Sequence, residues 1–313
     1  MSRTCVIVGL DGFDPDVLAN LVLFYTACGF DVSSSQAPAD CDLLVIQRGT
    51  YSGQEFETRA AECHVYDYVR NGTSDLHRSF PNIGAIAVIS PTAPASGSTT
   101  PSNLIRSFHP VIAELWTNRD TRPRRPYRVV HVGHRKSNAA NDRWLEQMDR
   151  VALSGACHMW GSGWQELSGT DAATLHEPAT LHQCQGIYRQ AESAFGVMYP
   201  MQRTRTISGR AWQGPLNGCI VYSEAVVPDA EIPGLIACDD FLAALHGPPA
   251  SVIPPAELIA AAAAYWNGVT ASLARELGLS YVRPAPSLVR STYAREVFLR
   301  HVTSRTRQVL RRA

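Results

Sequence analysis

The chain predicts an α/β protein made of two successive doubly wound, Rossmann-like units with a cleft between them. Three observations carry this. Its 313 residues amount to about two domains at roughly 150 residues each. In both halves, short apolar runs alternate with segments of helical period. The alternation breaks once, at Asn118–Pro126 (NRDTRPRRP), where arginines, prolines and turn formers leave no apolar face to bury. These features place an N-terminal domain at 1–118, a linker at 119–127 and a second domain at 128–283. Residues 284–313 form a basic C-terminal helix expected to pack back across the domains.

Each element follows from a local signal. Cys5–Leu10 is a short apolar run bounded by Gly and Asp, which reads as a buried parallel strand. Val17, Leu18, Leu21, Val22 and Tyr25 recur at helical spacing over 15–28, and Gly29 supplies the stop. Phe30–Ser33, Leu43–Gln47, Val65–Tyr68 and Ile83–Ser90 are further strands. Ser90–Asn103 is rich in Pro, Ser and Thr and leaves the carboxyl edge of the first sheet, as a surface loop or a lid.

After the linker the pattern restarts. Strands are expected at Arg128–Val132, Ala156–Trp160, Ala194–Tyr199, Cys219–Ser223 and Leu235–Cys238. Helices are expected at Asn138–Leu153, Leu181–Glu192, Ser208–Leu216 and Ala256–Leu277. The last stretch, Arg290–Arg312, carries seven arginines and one glutamate on a weak apolar stripe. It reads as an amphipathic helix, either packed across the domains or facing a membrane surface or a phosphate-rich partner.

Composition bounds the function. Hydrophobic residues make up 45% and charged residues 18%, which excludes a wholly disordered chain. With 28 basic and 28 acidic residues, the net charge of zero argues against a generally basic nucleic-acid binder. No apolar run reaches the roughly 18 residues of a membrane span, and Asp11 cuts the first run short of a signal-peptide core. Eight cysteines without Cys-x-x-Cys spacing fit a reduced, cytoplasmic protein with neither a disulfide framework nor a zinc knuckle.

Three regions could carry chemistry. In Thr204–Glu224 (TRTISGRAWQGPLNGCIVYSE), Thr206 or Ser208 is placed to cap a helix starting near Gly209, whose free N–H groups would favour an anion. Arg210 in its first turn could pair with a diphosphate. Gln213, one turn on, could face the same ligand, while Trp212 packs inward and Gly218 ends the helix. In His131–Asn138 (HVGHRKSN), Gly133 lets backbone approach a ligand. Arg135 and Lys136, the only lysine of the chain, could neutralise phosphates there. In Trp160–Trp164 (WGSGW), Gly161 and Gly163 beside Trp164 form a tight turn, with a flat surface for a planar base or simply a hydrophobic turn. Asp11, in the loop after the first strand, is placed for acceptor binding or as a base, or for turn formation before an Asp14 cap.

The order VHVGHR, MWGSGW, YRQAESAFGVMYP, RTISGRAWQGPLNGCIVYSE resembles the donor half of a GT-B glycosyltransferase. It is most similar to the group named for spore-maturation proteins, related to family 4, over roughly residues 128–245. The resemblance implies transfer of a sugar from a nucleotide-sugar donor, UDP- or GDP-linked, to a hydroxyl of a small molecule or glycan. A modified base of DNA is an alternative acceptor, and a catalytically degenerate binding protein or an epimerase are alternative functions. The donor would be a co-substrate, with no other cofactor. Gly133, Arg135, Lys136, Gly161, Trp164, Thr206, Ser208, Arg210 and Gln213 would face the donor. Gln213 stands where the group has a glutamate, and Arg205 where it has another, so the Glu-x7-Glu pattern is absent. Asp14-Pro-Asp16 and Asp40-Cys-Asp42 do not follow a strand as a cation-binding Asp-x-Asp would, which favours a metal-independent reaction.

Overall fold

A computed structural model of the chain describes residues 3–8, 15–35, 39–47, 57–66, 81–90, 104–117, 125–135, 143–179, 181–196, 209–223, 231–247 and 253–292. Two compact units result: Met1–Leu115 with Asn267–Ala313, and Trp116–Trp266.

The first unit holds a six-stranded, wholly parallel sheet. Its strands are β1 (Arg3–Val8), β2 (Phe30–Ser35), β3 (Cys41–Gln47), β4 (Ala60–Tyr66), β5 (Ile83–Ser90) and β6 (Leu104–Arg106), in the spatial order β2-β1-β3-β4-β5-β6. Helix α1 (Pro15–Ala27) links β1 to β2. It is apolar nearly all round, and Leu21, Leu23, Phe24 and Tyr25 are fully buried. Burying a leucine of this kind contributes roughly 1.5–3 kcal/mol. Gly29 ends α1 at φ 87°, and its N–H donates to the Thr26 carbonyl at 3.0 Å.

One side of the sheet is a purely apolar cluster that includes Val6, Val8, Leu44, Ile46, Val65 and Val88. A buried polar group sits elsewhere in the same unit. The Tyr25 hydroxyl bonds His64 Nδ1 at 2.8 Å and the Tyr66 hydroxyl at 3.0 Å. Burial lowers the His64 pKa from 6.5 to about 3, so the ring is neutral. The sixth strand was not expected. It has three residues and follows the Pro/Ser/Thr-rich stretch, so it shows no periodicity.

The second unit repeats the plan. Strands β7 (Tyr127–Val132), β8 (His158–Trp160), β9 (Leu175–His176), β10 (Ala191–Gly196), β11 (Ile220–Ser223) and β12 (Leu235–Ala237) form a parallel sheet in the order β12-β11-β10-β7-β8-β9. Helices within this unit include α3 (Arg143–Leu153), α4 (Leu181–Arg189), α5 (Arg210–Gln213) and α6 (Phe241–His246), while α2 (Ala113–Trp116) stands at the boundary. Val129, Met159, Phe195 and Phe241 pack on one side of this sheet, and Val130, Tyr188, Ala194 and Val221 on the other. β10 begins three residues before the expected Ala194, and α4 ends at Arg189 rather than Glu192. Two-residue β9 was not expected.

By contacts, the second unit ends at Trp266, and Asn267–Ala313 groups with the first. The reason lies in the long helix α7 (Pro255–Glu276), whose 22 residues run about 33 Å. Its last turns pack with the first unit. Thr270 Oγ1 donates to the Val111 carbonyl at 3.0 Å and accepts the Val111 N–H at 3.1 Å. Beyond it, the Val282 N–H donates to the Ala27 carbonyl at 3.1 Å, and Arg283 pairs with Glu114. Most of the basic segment expected to form a C-terminal helix, from 293 on, lies outside the described residues. All eight cysteines are free thiols. No helix among the described residues is long and apolar enough to cross a membrane.

Candidate functional site

β7 comes first in its unit yet lies in the middle of the sheet. The chain adds β8 and β9 on one side of it, then places β10, β11 and β12 on the other. Strand order therefore reverses between β7 and β10. At such a point the loops leaving two neighbouring carboxyl ends diverge and open a crevice. In the first unit the same reversal falls between β1 and β3.

Backbone bonding at the end of β7 shows which groups face the crevice. Gly133 commits both polar groups to the β8 side. Its N–H donates to the Trp160 carbonyl at 2.8 Å, and its carbonyl accepts the Trp164 indole N–H at 2.8 Å. Successive peptides of a strand point to opposite sides, so the Val132 carbonyl faces β10. The β7–β10 pairing runs only as far as Val130 and Ala194. Past it, the Val132 carbonyl accepts a hydrogen bond from Arg210 Nε at 2.7 Å. The rest of the guanidinium lies on the α-carbon of Gly133, where a β-carbon would collide with Nη2. Arg210 thus enters the strand-order reversal as a half-buried cation anchored to backbone.

His131, two residues before Gly133, is 3% exposed. Its Nδ1 lies 3.0 Å from the Phe195 carbonyl. A carbonyl only accepts, so Nδ1 carries the proton and Nε2 bears the lone pair. Burial, reinforced by the Arg210 charge, lowers its pKa to about 3. A neutral imidazole and a cation therefore share this edge of the sheet.

The WGSGW turn folds onto the segment after β7. Gly161 has φ 151°, and a β-carbon there would fall on the Gly133 carbonyl. Gly163 has φ 87°, and its β-carbon would stand 2.7 Å from the Arg135 carbonyl. Ser162 N–H donates to His134 Nδ1 at 3.1 Å, and Arg135 N–H to the Ser162 carbonyl at 2.9 Å. The two glycines are required for close backbone packing. Trp164 corrects the expectation of a base-binding face: it is 2% exposed and edge-on to His131 at 5.5 Å. The half-buried aromatic of this turn is Trp160 instead, stacked on His176 at 4.1 Å. His176 Nε2 lies 2.9 Å from His158 Nδ1.

Arg135 also departs from expectation. Its Nε and Nη2 each donate to an Asp149 carboxylate oxygen at 2.8 Å. This bidentate pair ties the segment after β7 to α3, so the guanidinium fork is occupied rather than presented to a phosphate. Helix α5 has four residues, with Gly209 as its N-cap. Gln213 is 7% exposed, buried beside Ala211 and Trp212, and does not share the half-exposed setting of Arg210. As expected, Trp212 packs inward, edge-on to Trp266 at 6.0 Å, and Gly218 closes the segment at φ 75°.

Of the residues expected to face a donor, Gly133, Gly161, Trp164 and Arg210 gather at the end of β7. Asp11, Lys136, Thr206, Ser208 and residues 91–103 lie outside the described residues. Sequence reasoning missed His131 and Asp149. The one signal for His131 was a histidine two residues before the strand-ending glycine, and for Asp149 a carboxylate on the expected helix. Among the described residues, no group of three or more His, Cys, Asp or Glu could hold a metal ion.

No family model and no curated protein sequence matches the chain. Solved structures do. One is AviGT4, a glycosyltransferase involved in avilamycin A biosynthesis. It is 11% identical with a TM-score of 0.54, over 88% of this chain and 96% of that one. Another is the DNA-modifying enzyme β-glucosyltransferase, described with its substrate uridine diphosphoglucose. It is 11% identical with a TM-score of 0.52, over 93% of this chain and 99% of that one. At this identity the likeness is one of fold. The chain shares with both the GT-B architecture of two Rossmann-like domains.

Proposed function

We propose that the protein is a glycosyltransferase that moves a sugar from a UDP- or GDP-sugar to a hydroxyl of a small molecule or glycan, without a metal. The observation that carries this reading is the Arg210 guanidinium, fixed by the Val132 carbonyl at the strand-order reversal of the second sheet. As the glycosidic bond breaks, negative charge grows on the departing nucleoside diphosphate. A cation held in place before the reaction stabilises that charge without reorganising. Lys136, Thr206 and Ser208 belong to the same proposal as further donor contacts, and Asp11 as acceptor ligand or base. Membership of the spore-maturation group rests on the order of the VHVGHR, MWGSGW and RTISGRAWQG motifs.

The test is a thermal-shift screen against UDP, GDP, ADP, CDP and TDP and their sugar forms. A nucleotide at a hundred times its Kd should add about 2.7 kcal/mol of stability. The shift should disappear in Arg210→Ala while the variant keeps its native circular dichroism. No response to any nucleotide would end this reading.

A second reading has one observation behind it: the fold likeness to a DNA-modifying glucosyltransferase over nearly the full length of both chains. It keeps the donor and makes a modified base of DNA the acceptor. Duplex binding that weakens steeply between 50 and 200 mM salt, on the order of 10³-fold or more, would favour it.

A further inference from the structure

The second sheet carries two histidines that share one proton. His158 of β8 and His176 of β9 bring Nδ1 and Nε2 to 2.9 Å. Their ring centroids are 5.2 Å apart and their planes 20° from parallel. The two ring radii fill the difference between those distances, so the rings meet edge to edge, head-on. Lone pairs aimed along one line hold a proton between them, whereas a metal ion would need them to converge beside it. Trp160 stacks on His176 at 4.1 Å, and the Tyr127 ring of β7 lies 4.7 Å from His158. β9 is a two-residue edge strand, so few backbone bonds tie it to β8, and this side-chain bond adds to them. The His176 carbonyl in turn accepts the Gly161 N–H at 3.3 Å, and Gly161 packs on the Gly133 carbonyl. A line of contacts thus runs from the histidine pair through the WGSGW turn to Gly133, on which Arg210 rests.

We propose that the His158–His176 pair is a pH-operated lock, which holds β9 and the WGSGW turn in place and opens in acid. When both rings are neutral, one donates its inner N–H and the other accepts. A first added proton goes to the outer nitrogen of the donating ring and leaves the bond in place. A second must go to the accepting nitrogen itself. Two N–H groups and two positive rings then face each other, and the bond is lost. Both rings are half-exposed, so protons reach them from solvent. Burial lowers the pKa of both histidines, the His158 charge lowers His176 further, and Asp171 opposes the shift at His158. Asp171, in the turn before β9, is the one other charged group acting on the pair among the described residues. A lowered pKa means stability lost as pH falls, so the lock is closed at neutral pH and opens below the ordinary histidine range, about 6.5. Arginine does not titrate there, so the pair supplies a pH response that Arg210 itself lacks.

The experiment is amide hydrogen exchange on the full chain, followed by mass spectrometry between pH 7.5 and 4.5 and corrected for the intrinsic rate. Wild type and His176→Phe are compared, since phenylalanine keeps a ring against Trp160 but cannot share the proton. In wild type, protection over residues 158–176 should fall about tenfold on acidification, while that of β7 changes much less. In His176→Phe, protection over the same residues should already be low at pH 7.5 and should not change further. Wild-type protection that does not depend on pH, an equal fall in β7, or the same fall in His176→Phe overturns the inference. Should His176→Phe not fold, 15N-histidine spectra of the wild type decide. His158 and His176 should titrate in two separate steps, the second coinciding with the loss of protection. Independent titration of both rings at the ordinary histidine value overturns the inference.

Discussion

The Arg210 guanidinium rests on the α-carbon of Gly133, in the space a methyl side chain would fill. The contact joins residues 77 positions apart, and Nε anchors it to the neighbouring Val132 carbonyl at 2.7 Å. The glycine is needed there for a protein cation rather than for direct approach of a ligand to backbone.

Gly133→Ala should therefore act mainly on binding. The new β-carbon meets the flexible end of Arg210, which can swing aside, and also crowds Nε2 of the buried His131 at 2.9 Å. Nucleotide affinity should fall about tenfold, with a stability loss near 1 kcal/mol. Gly161→Ala should do the reverse. Its β-carbon meets backbone at a positive φ, so unfolding in urea should show a loss of about 2 kcal/mol or more.

Arg210→Lys should not restore what Arg210→Ala removes. Lysine keeps the charge but lacks the planar guanidinium whose Nε bonds the Val132 carbonyl. Thermal shifts with nucleotide should be nearly as small in the lysine variant as in the alanine one.

Arg135→Ala should separate structure from binding. The Nε and Nη2 edge of the guanidinium is held by a half-buried Asp149, so the pair contributes about 1–2 kcal/mol of coupling. A double-mutant cycle with Asp149→Ala measures it. Nucleotide affinity should fall far less than in Arg210→Ala. A loss as large as that of Arg210→Ala would return Arg135 to the donor site.

Acid should destabilise the fold well above the carboxylate range. His64, His109 and His131 are buried and neutral, each with its pKa lowered from 6.5 to about 3 by burial. Below pH 6.5 the unfolded chain binds protons that the folded chain refuses, so stability falls as pH drops from about 6.5 toward 3. The slope is up to about 1.4 kcal/mol per pH unit for each histidine. Urea midpoints at pH 7.5, 6 and 5 should decline in that order. His64→Gln should flatten the decline.

Thiol chemistry gives a further check. Six cysteines are buried, and only Cys28 and Cys41 are half-exposed. Burial pushes the Cys28 thiol up to about 12 and raises Cys41 as well. An aromatic disulfide reagent should label at most two thiols of the native protein, slowly, and all eight once it is unfolded.

The sequence by itself determined the architecture. Apolar runs such as Leu43–Gln47 must be buried on both faces, and helical-period segments between the strands, such as Pro15–Ala27, can cover those faces. Local burial demand is written in consecutive residues, so most strands and the Gly29 and Gly218 stops were legible. β6 and β9 were not, because two or three residues cannot display a period. At the site, the sequence identified Arg210 and Gly133 but assigned both to a ligand. Only tertiary structure decided that they pack on each other, that Asp149 takes Arg135, and that Trp164 and Gln213 are buried. It also showed that His131 keeps a lone pair at the end of β7. These outcomes depend on contacts between residues 14 to 78 positions apart, fixed by strand order and hydrogen-bond direction, which no local pattern encodes.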